Sequence, residues 1–223
     1  MLARGQGLTV LILAGGRSRR MGQDKIWLPL GADAVSLIER VVAHVRPLAA
    51  EFLFSANAPD PFAALVSSLR GQGVPAQVVP DRFPGAGPLA GLHAGLSAAR
   101  YDLLLAVAGD MPFINPALVA HLVALMPGFD VVIPELPHPR TGEPVKEPLH
   151  TIYRRSCLGA VAARLAAGER PMVGFLSEVR VRIVASDEIR AIDPDFRSFF
   201  NVNTPEDWDA AEELLAGELS GEN

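Results

Sequence analysis

The chain alternates short apolar runs with stretches of helical spacing. LTVLIL (8–13), EFLFSA (51–56), PAQVVP (75–80), DLLLAVAG (102–109) and FDVVIP (129–134) are too short for most helices. They lack the polar alternation of half-exposed strands, so they predict strands buried on both faces. LHTIYR (149–154) and VRVRIVA (179–185) extend the series. Between them, VSLIERVVAHV (35–45), PFAALVSSL (61–69), PLAGLHAGLSAA (88–99), NPALVAHLVAL (115–125) and CLGAVAARLAAG (157–168) repeat apolar residues every three or four positions. TPEDWDAAEELLAGEL (204–219) closes the chain as an amphipathic helix. Pro88, the Asn115-Pro116 pair and the Thr204-Pro205 pair sit where helices begin: a side-chain cap, then a proline that needs no N–H partner. Strands alternating with helices predict an α/β protein of three layers, α/β/α, with a mostly parallel Rossmann-like sheet and right-handed crossovers. No repeat and no low-complexity linker divides residues 1–223, so a single domain is expected.

One stretch breaks the rhythm. ELPHPRTGEPVKEP (135–148) carries four prolines and mixed charge, and is expected as a long exposed loop beside the site. No apolar run reaches the roughly 18 residues of a membrane span. Arg4 and the run after it are too slight for a secretory signal, with no A-x-A-like site following. The chain has one cysteine, Cys157, which excludes an internal disulfide and a cysteine metal cluster. These features predict a cytoplasmic protein. A net charge of −5 excludes a general nucleic-acid binder, which needs a basic face.

Against that acidic background, LAGGRSRRMGQDK (13–25) crowds Arg17, Arg19, Arg20 and Lys25 around three glycines, with Asp24 as the single acid. Its local charge is about +3. An open parallel sheet binds ligands at the carboxyl ends of its strands, where this segment leaves the first one. Glycines let backbone N–H groups approach an anion, and a polyphosphate satisfies donors and charges together. A P-loop is excluded, because no Gly-Lys-Ser/Thr sequence is present. GAGPLAG (85–91) approaches the dinucleotide fingerprint but has one residue too many between its last glycines, and DRFP separates it from its strand.

Asp81 ends the third strand at the same sheet edge, a place where Asp also serves turns. Asp110 follows the apolar run LLLAVAG and is placed to hold a hard cation. Asn201 and Asn203 precede the last helix, where contact with ligand and simple turn formation are equal readings. Cys157 reads as a small buried residue, although His150 is near it in sequence. His44, His93, His121 and His138 have no metal spacing, and Trp27 and Trp208 read as packing anchors.

In this order, LAGGRSRRMGQDK (13–25), PDRFPGAGPLAGL (80–92), GDMPFI (109–114) and NVNTPED (201–207) resemble the nucleotidyltransferase family that includes molybdenum cofactor guanylyltransferases. The resemblance spans nearly the whole chain, and GERP (168–171) and NVNTPED carry it towards the molybdenum branch. It implies transfer of GMP from GTP to the terminal phosphate of molybdopterin, with release of pyrophosphate. The glycine at 16 implies guanine, since a related branch with LAAG uses cytidine nucleotides. By resemblance, Leu13, Ala14, Gly15, Gly16, Lys25, Asn57, Asp81 and Asp110 bind the nucleotide. Asp110 is the ligand of Mg²⁺, with Mn²⁺ as a substitute. Arg19, Lys25 and Asp110 form the catalytic set. Gly22, Gly91, Arg170, Asn201 and Asn203 serve the pterin substrate or the chemistry.

The expected partners are GTP, molybdopterin and a protein that delivers the cofactor or accepts the product, with no nucleic acid and no membrane. A monomer is expected. Residues 135–153 depart from the family's simpler pattern, which leaves the acceptor less specified than the nucleotide. The competing readings are a CTP-dependent or phospho-sugar transferase of the same fold, a non-catalytic GTP-binding regulator, and a reductase built on GAGPLAG.

Overall fold

The computed structural model describes residues 7–14, 25–83 and 85–220. Strand β1 (Leu8–Leu13) is central, since every side chain from Leu8 to Ile12 is buried. It pairs in parallel with β4 (Ala49–Ser55) on one side and β6 (Leu103–Ala108) on the other. Beyond β4 lies β5 (Ala76–Val79), also parallel. Beyond β6 come β9 (Thr151–Arg154), β7 (Val131–Pro137) and β10 (Val181–Val184). Only β9 runs against its neighbours in this row, antiparallel to both β6 and β7. The mostly parallel sheet expected from the alternation is therefore present, with one reversed strand in its main row. Two short strands, β2 (Pro29–Leu30) and β3 (Val35–Ser36), form a separate hairpin.

Side chains leave each strand alternately to the two faces, and helices cover both. Leu8, Val10, Ile12, Phe52, Phe54, Leu105 and Val107 meet α1 (Leu37–Val45), α2 (Ala63–Gly71), α4 (Pro116–Ala124) and α6 (Ser186–Arg190). Leu11, Leu53, Leu104, Ala106, Val131 and Tyr153 meet α3 (Pro88–Ala98) and α5 (Leu158–Ala166). The last helix, α7 (Pro205–Ser220), packs Ala211 and Leu215 with Leu30, Leu37, Phe113 and Val202 in a third, smaller cluster. Asn115 caps α4 by accepting a hydrogen bond from the Ala117 N–H at 2.8 Å, as its place before a proline predicts.

Helix α3 sits against the sheet at two residues that have no Cβ. A Cβ at Gly91 would stand 2.3 Å from Leu13 Cδ2, and one at Gly95 would stand 2.5 Å from Leu11 Cδ2. Leu11 is fully buried and has nowhere to move.

Residues 135–148 are largely exposed, as their prolines and charges predict, but they are not a loop throughout. Strand β7 continues to Pro137, and the chain turns back as β8 (Pro144–Lys146), with Glu135 opposite Lys146 and Leu136 opposite Val145. Pro137 faces Pro144 at the end of the ladder, where missing N–H groups cost no pairing. Gly142, at φ +73°, helps close the turn. Prolines mark this hairpin's outer end and do not abolish it.

His150, just before β9, has no exposed surface, and neither ring nitrogen has a hydrogen-bond partner among the described residues. Its ring rests on Phe199 with centroids 4.9 Å apart. Burial lowers its pKa from 6.5 to about 4, so the folded chain holds the neutral ring. An unfolded histidine binds its proton at higher pH than the folded one. The stability this contributes is whole above pH 6.5 and is lost as pH falls towards about 4.

Two outcomes are expected. Gly95→Val lowers stability by about 2 kcal/mol, read as a shift in the urea midpoint, because it overpacks the α3–Leu11 contact. His150→Phe flattens the acid-side loss of stability, roughly 3 kcal/mol at full extent, when urea midpoints are compared between neutral and acid pH.

Candidate active site

Strands β4, β1 and β6 end together: Leu13 pairs with Ser55 on one side and Ala108 on the other. Past the ends, the Ala14 N–H donates to the Ser55 carbonyl and the Gly109 N–H donates to the Leu13 carbonyl, both at 3.1 Å. Two polar clusters flank this edge.

The first is built on Lys25, which opens a short 3-10 turn, Lys25–Trp27. Ile26 is buried in the core and Trp27 packs edge-on against Phe62 at 5.0 Å, so the turn is anchored by its own apolar residues. The Lys25 ammonium donates to Asp110 Oδ2 at 2.6 Å, to the Val202 carbonyl at 2.7 Å and to Asn203 Oδ1 at 2.8 Å. An ammonium has three hydrogens, and here each has an acceptor. The Lys25 side chain is 7% exposed and that of Asp110 18%. The pair is thus partly withdrawn from water, where its attraction is stronger and its loss more costly. The Val202 N–H closes the group by donating to the Asp110 carbonyl at 3.0 Å. Residues 25, 110 and 202–203, far apart in sequence, meet at one nitrogen.

The second cluster lies by β4 and β5. Ser55 Oγ donates to Asp81 Oδ1 at 3.1 Å, and the Asp81 N–H donates to Asn57 Oδ1 at 3.1 Å. Asn57 and Asp81 are therefore neighbours, joined through Ser55 to the end of β1. Gly91 is buried against Leu13 and Ser55, so it shapes this edge by letting α3 approach.

Of the sequence candidates, the structure brings Lys25, Asp110 and Asn203 together, and Asn57 with Asp81, on either side of Leu13 and Ala14. Asn201 does not join the Lys25 cluster through its side chain; its amide donates to the Phe199 carbonyl at 3.2 Å. Arg170 is exposed in the turn after α5 and has no hydrogen bond or ion pair to another described residue. Gly15, Gly16, Arg19 and Gly22 lie outside the described residues. Cys157 is fully buried, with burial foremost in pushing its thiol up to about 12, which fits a packing role.

Sequence reasoning passed over Ser55 and the Val202 carbonyl, and placed Asp207 only as an acid in the first turn of the last helix. Asp207 Oδ2 accepts the N–H groups of Asn203 at 2.8 Å and Thr204 at 2.9 Å, while Thr204 Oγ1 accepts the Asp207 N–H at 3.2 Å. The T-x-x-D spacing was the available signal, an acidic variant of the capping box. Burial alone would raise the Asp207 pKa; the two backbone N–H groups, with Thr204 Oγ1 and the Lys25 charge, outweigh it and hold the carboxyl below its usual range.

Among the described residues, no group of three or more His, Cys, Asp or Glu converges as a metal cage. The oxygens offered are the Asp110 carboxylate and the Asn203 side-chain oxygen, already drawn to one cation. This set fits Mg²⁺, which takes few protein carboxylates and completes its shell with water and phosphate.

A profile of the MobA-like NTP transferase domain matches residues 10–181. The chain is 38% identical over 199 residues to a probable molybdenum cofactor guanylyltransferase of Pelotomaculum thermopropionicum, covering 89% of each chain. It is 33% identical over 216 residues to the molybdenum cofactor guanylyltransferase of Desulfosudis oleivorans, covering 96% of this chain and 98% of that one. Among solved structures, molybdopterin-guanine dinucleotide biosynthesis protein A from Archaeoglobus fulgidus superposes with a TM-score of 0.73 at 30% identity, covering 93% of this chain and 98% of that one.

Lys25→Met leaves Asp110 and two turn acceptors without their donor. A fall in stability of about 2 kcal/mol is expected by urea titration, less than the 3–5 kcal/mol of a fully buried pair because Asp110 keeps some contact with water.

Proposed function

Because this chain belongs to the MobA-like NTP transferase family, we propose that it transfers the guanylyl group of GTP to the terminal phosphate of molybdopterin. A phosphate oxygen of the acceptor attacks the α-phosphorus of GTP, the bond to the β-phosphate oxygen breaks, and pyrophosphate leaves. The acceptor is already an anion, so no strong general base is needed. Catalysis then rests on positioning and on charge neutralisation. The observation that carries this reading is the meeting of Lys25, Asp110 and Asn203 beside the end of the central strand.

In this proposal, Leu13, Ala14, Gly15 and Gly16 line the nucleotide, with Gly16 selecting guanine. Asn57 and Asp81, held against each other by a hydrogen bond, face its nucleoside part. Lys25 and Arg19 neutralise charge on the departing pyrophosphate. Mg²⁺, or Mn²⁺ in its place, would be held by Asp110 with the Asn203 oxygen beside it, and supplies Lewis-acid neutralisation of the phosphates. Gly22, Arg170 and Asn201 serve the acceptor; Gly91 acts through the close approach of α3. The reaction is assigned to a cytoplasmic monomer that passes its product to a molybdoenzyme or a delivery protein. No helix among the described residues is long and apolar enough to cross a membrane.

Pyrophosphate release measured with GTP and with CTP, each with and without molybdopterin, tests the assignment. Turnover is expected only with GTP and molybdopterin together. Asp110→Ala abolishes it, and Lys25→Ala reduces kcat/KM for GTP about 10²–10³-fold. Near-native rates in both variants would reject the site.

A further inference from the structure

Two of the three acceptors on Lys25 come from a single turn. Val202 supplies its carbonyl and Asn203 its side-chain oxygen. The direction of the ammonium therefore depends on what holds residues 202–204. One tie is the Val202 N–H on the Asp110 carbonyl. The other is Asp207, whose Oδ2 takes the N–H of Asn203 as well as that of Thr204. A capping residue needs only to serve its helix; this carboxylate also grips Asn203, the residue before the cap, whose side chain touches Lys25. Asp207 is itself fixed. It sits in the first turn of α7, its own N–H is held by Thr204 Oγ1, and Ala211 and Leu215 seat that helix on Leu30, Leu37 and Phe113.

We propose that Asp207 is a positioning residue for Lys25: its carboxylate fixes the turn whose two oxygens aim the ammonium at Asp110 and at the nucleotide phosphates. This rests on the guanylyl-transfer reading only in naming the phosphates; the hold on Lys25 stands apart from it. Asp207 does not touch the reacting atoms. It acts through Asn203 and Val202, and it does so by shape. An amide oxygen in its place accepts the same two N–H groups.

The chain supplies its own probe. Its two lysines are Lys25 and Lys146, and the Lys146 side chain is 39% exposed beside Glu135, outside the Lys25 cluster. Acetic anhydride labelling, read peptide by peptide by mass spectrometry, gives the reactivity of Lys25 against Lys146 as an internal reference. In Asp207→Ala the ratio is expected to rise about five-fold, as local opening frees the amine. In the same variant kcat/KM for GTP falls about ten-fold through misplacement of the ammonium. Asp207→Asn returns both to near the native value. An unchanged ratio in Asp207→Ala, or an Asn variant as impaired as the Ala variant, overturns the proposal.

A role confined to capping α7 would lower Tm and leave the labelling ratio native below the transition. If Asp207→Ala does not fold, Thr204→Val carries the test. It removes the reciprocal bond and should raise the ratio about two-fold; no rise overturns the proposal. Absence of pyrophosphate release in the unaltered protein would instead count against guanylyl transfer, with the labelling result still readable.

Discussion

The site depends on one ammonium group. Lys25 Nζ joins the end of the glycine-rich segment, the carboxylate after β6 and the turn before α7. A cation so enclosed is tolerable only when each of its hydrogens is accepted and a negative charge stands close, and both conditions hold. The same group orients Asp110 and Asn203, the two oxygens a hard cation would take. Fixing the nitrogen also fixes the relative positions of three segments that no local rule connects.

Everything around that nitrogen serves to bring the strand ends level and keep them open. Parallel pairing of β4, β1 and β6 stops at Ser55, Leu13 and Ala108 in register, which leaves one edge from which loops can depart. Gly91 and Gly95 let α3 sink against the sheet, so the helix start crowds the same edge that carries Asp81 and Asn57. His150, leading into the reversed strand β9, lies in the interior beside Phe199, the last residue of the short 3-10 turn Arg197–Phe199 that precedes the Asn201–Asn203 segment. The apolar interior holds an ionisable ring in its neutral form there, at a cost that appears only in acid.

Sequence likeness names the reaction of the relatives. The geometry shows what this chain places at the strand ends: an ion pair of Lys25 and Asp110, a second polar pair, Asn57 and Asp81, and a helix cap that extends its grip to the residue before the helix. Asp207 illustrates the economy of the arrangement, since one carboxylate both starts a helix and steadies a turn.

Much of this was legible without a structure. Continuous apolar runs separated by helical spacing reveal buried strands and covering helices because burial periodicity is a local property of the chain. Asp110 stood out because a carboxylate at the carboxyl end of a buried strand suits a hard cation, and Lys25 because cations crowded in an acidic chain suit a polyphosphate. The hairpin of β7 and β8 was not legible: prolines signal a loop locally, whereas pairing Leu136 with Val145 depends on an edge that only the assembled sheet offers. Nor could spacing reveal that Lys25 reaches residues 85 and 178 positions away. The sequence alone determined the long strands and helices and which charged groups need partners, because those follow from near neighbours. Which partners they find was decided by tertiary structure, because register and layer packing bring distant residues into hydrogen-bond contact, at 2.6–2.8 Å around Lys25.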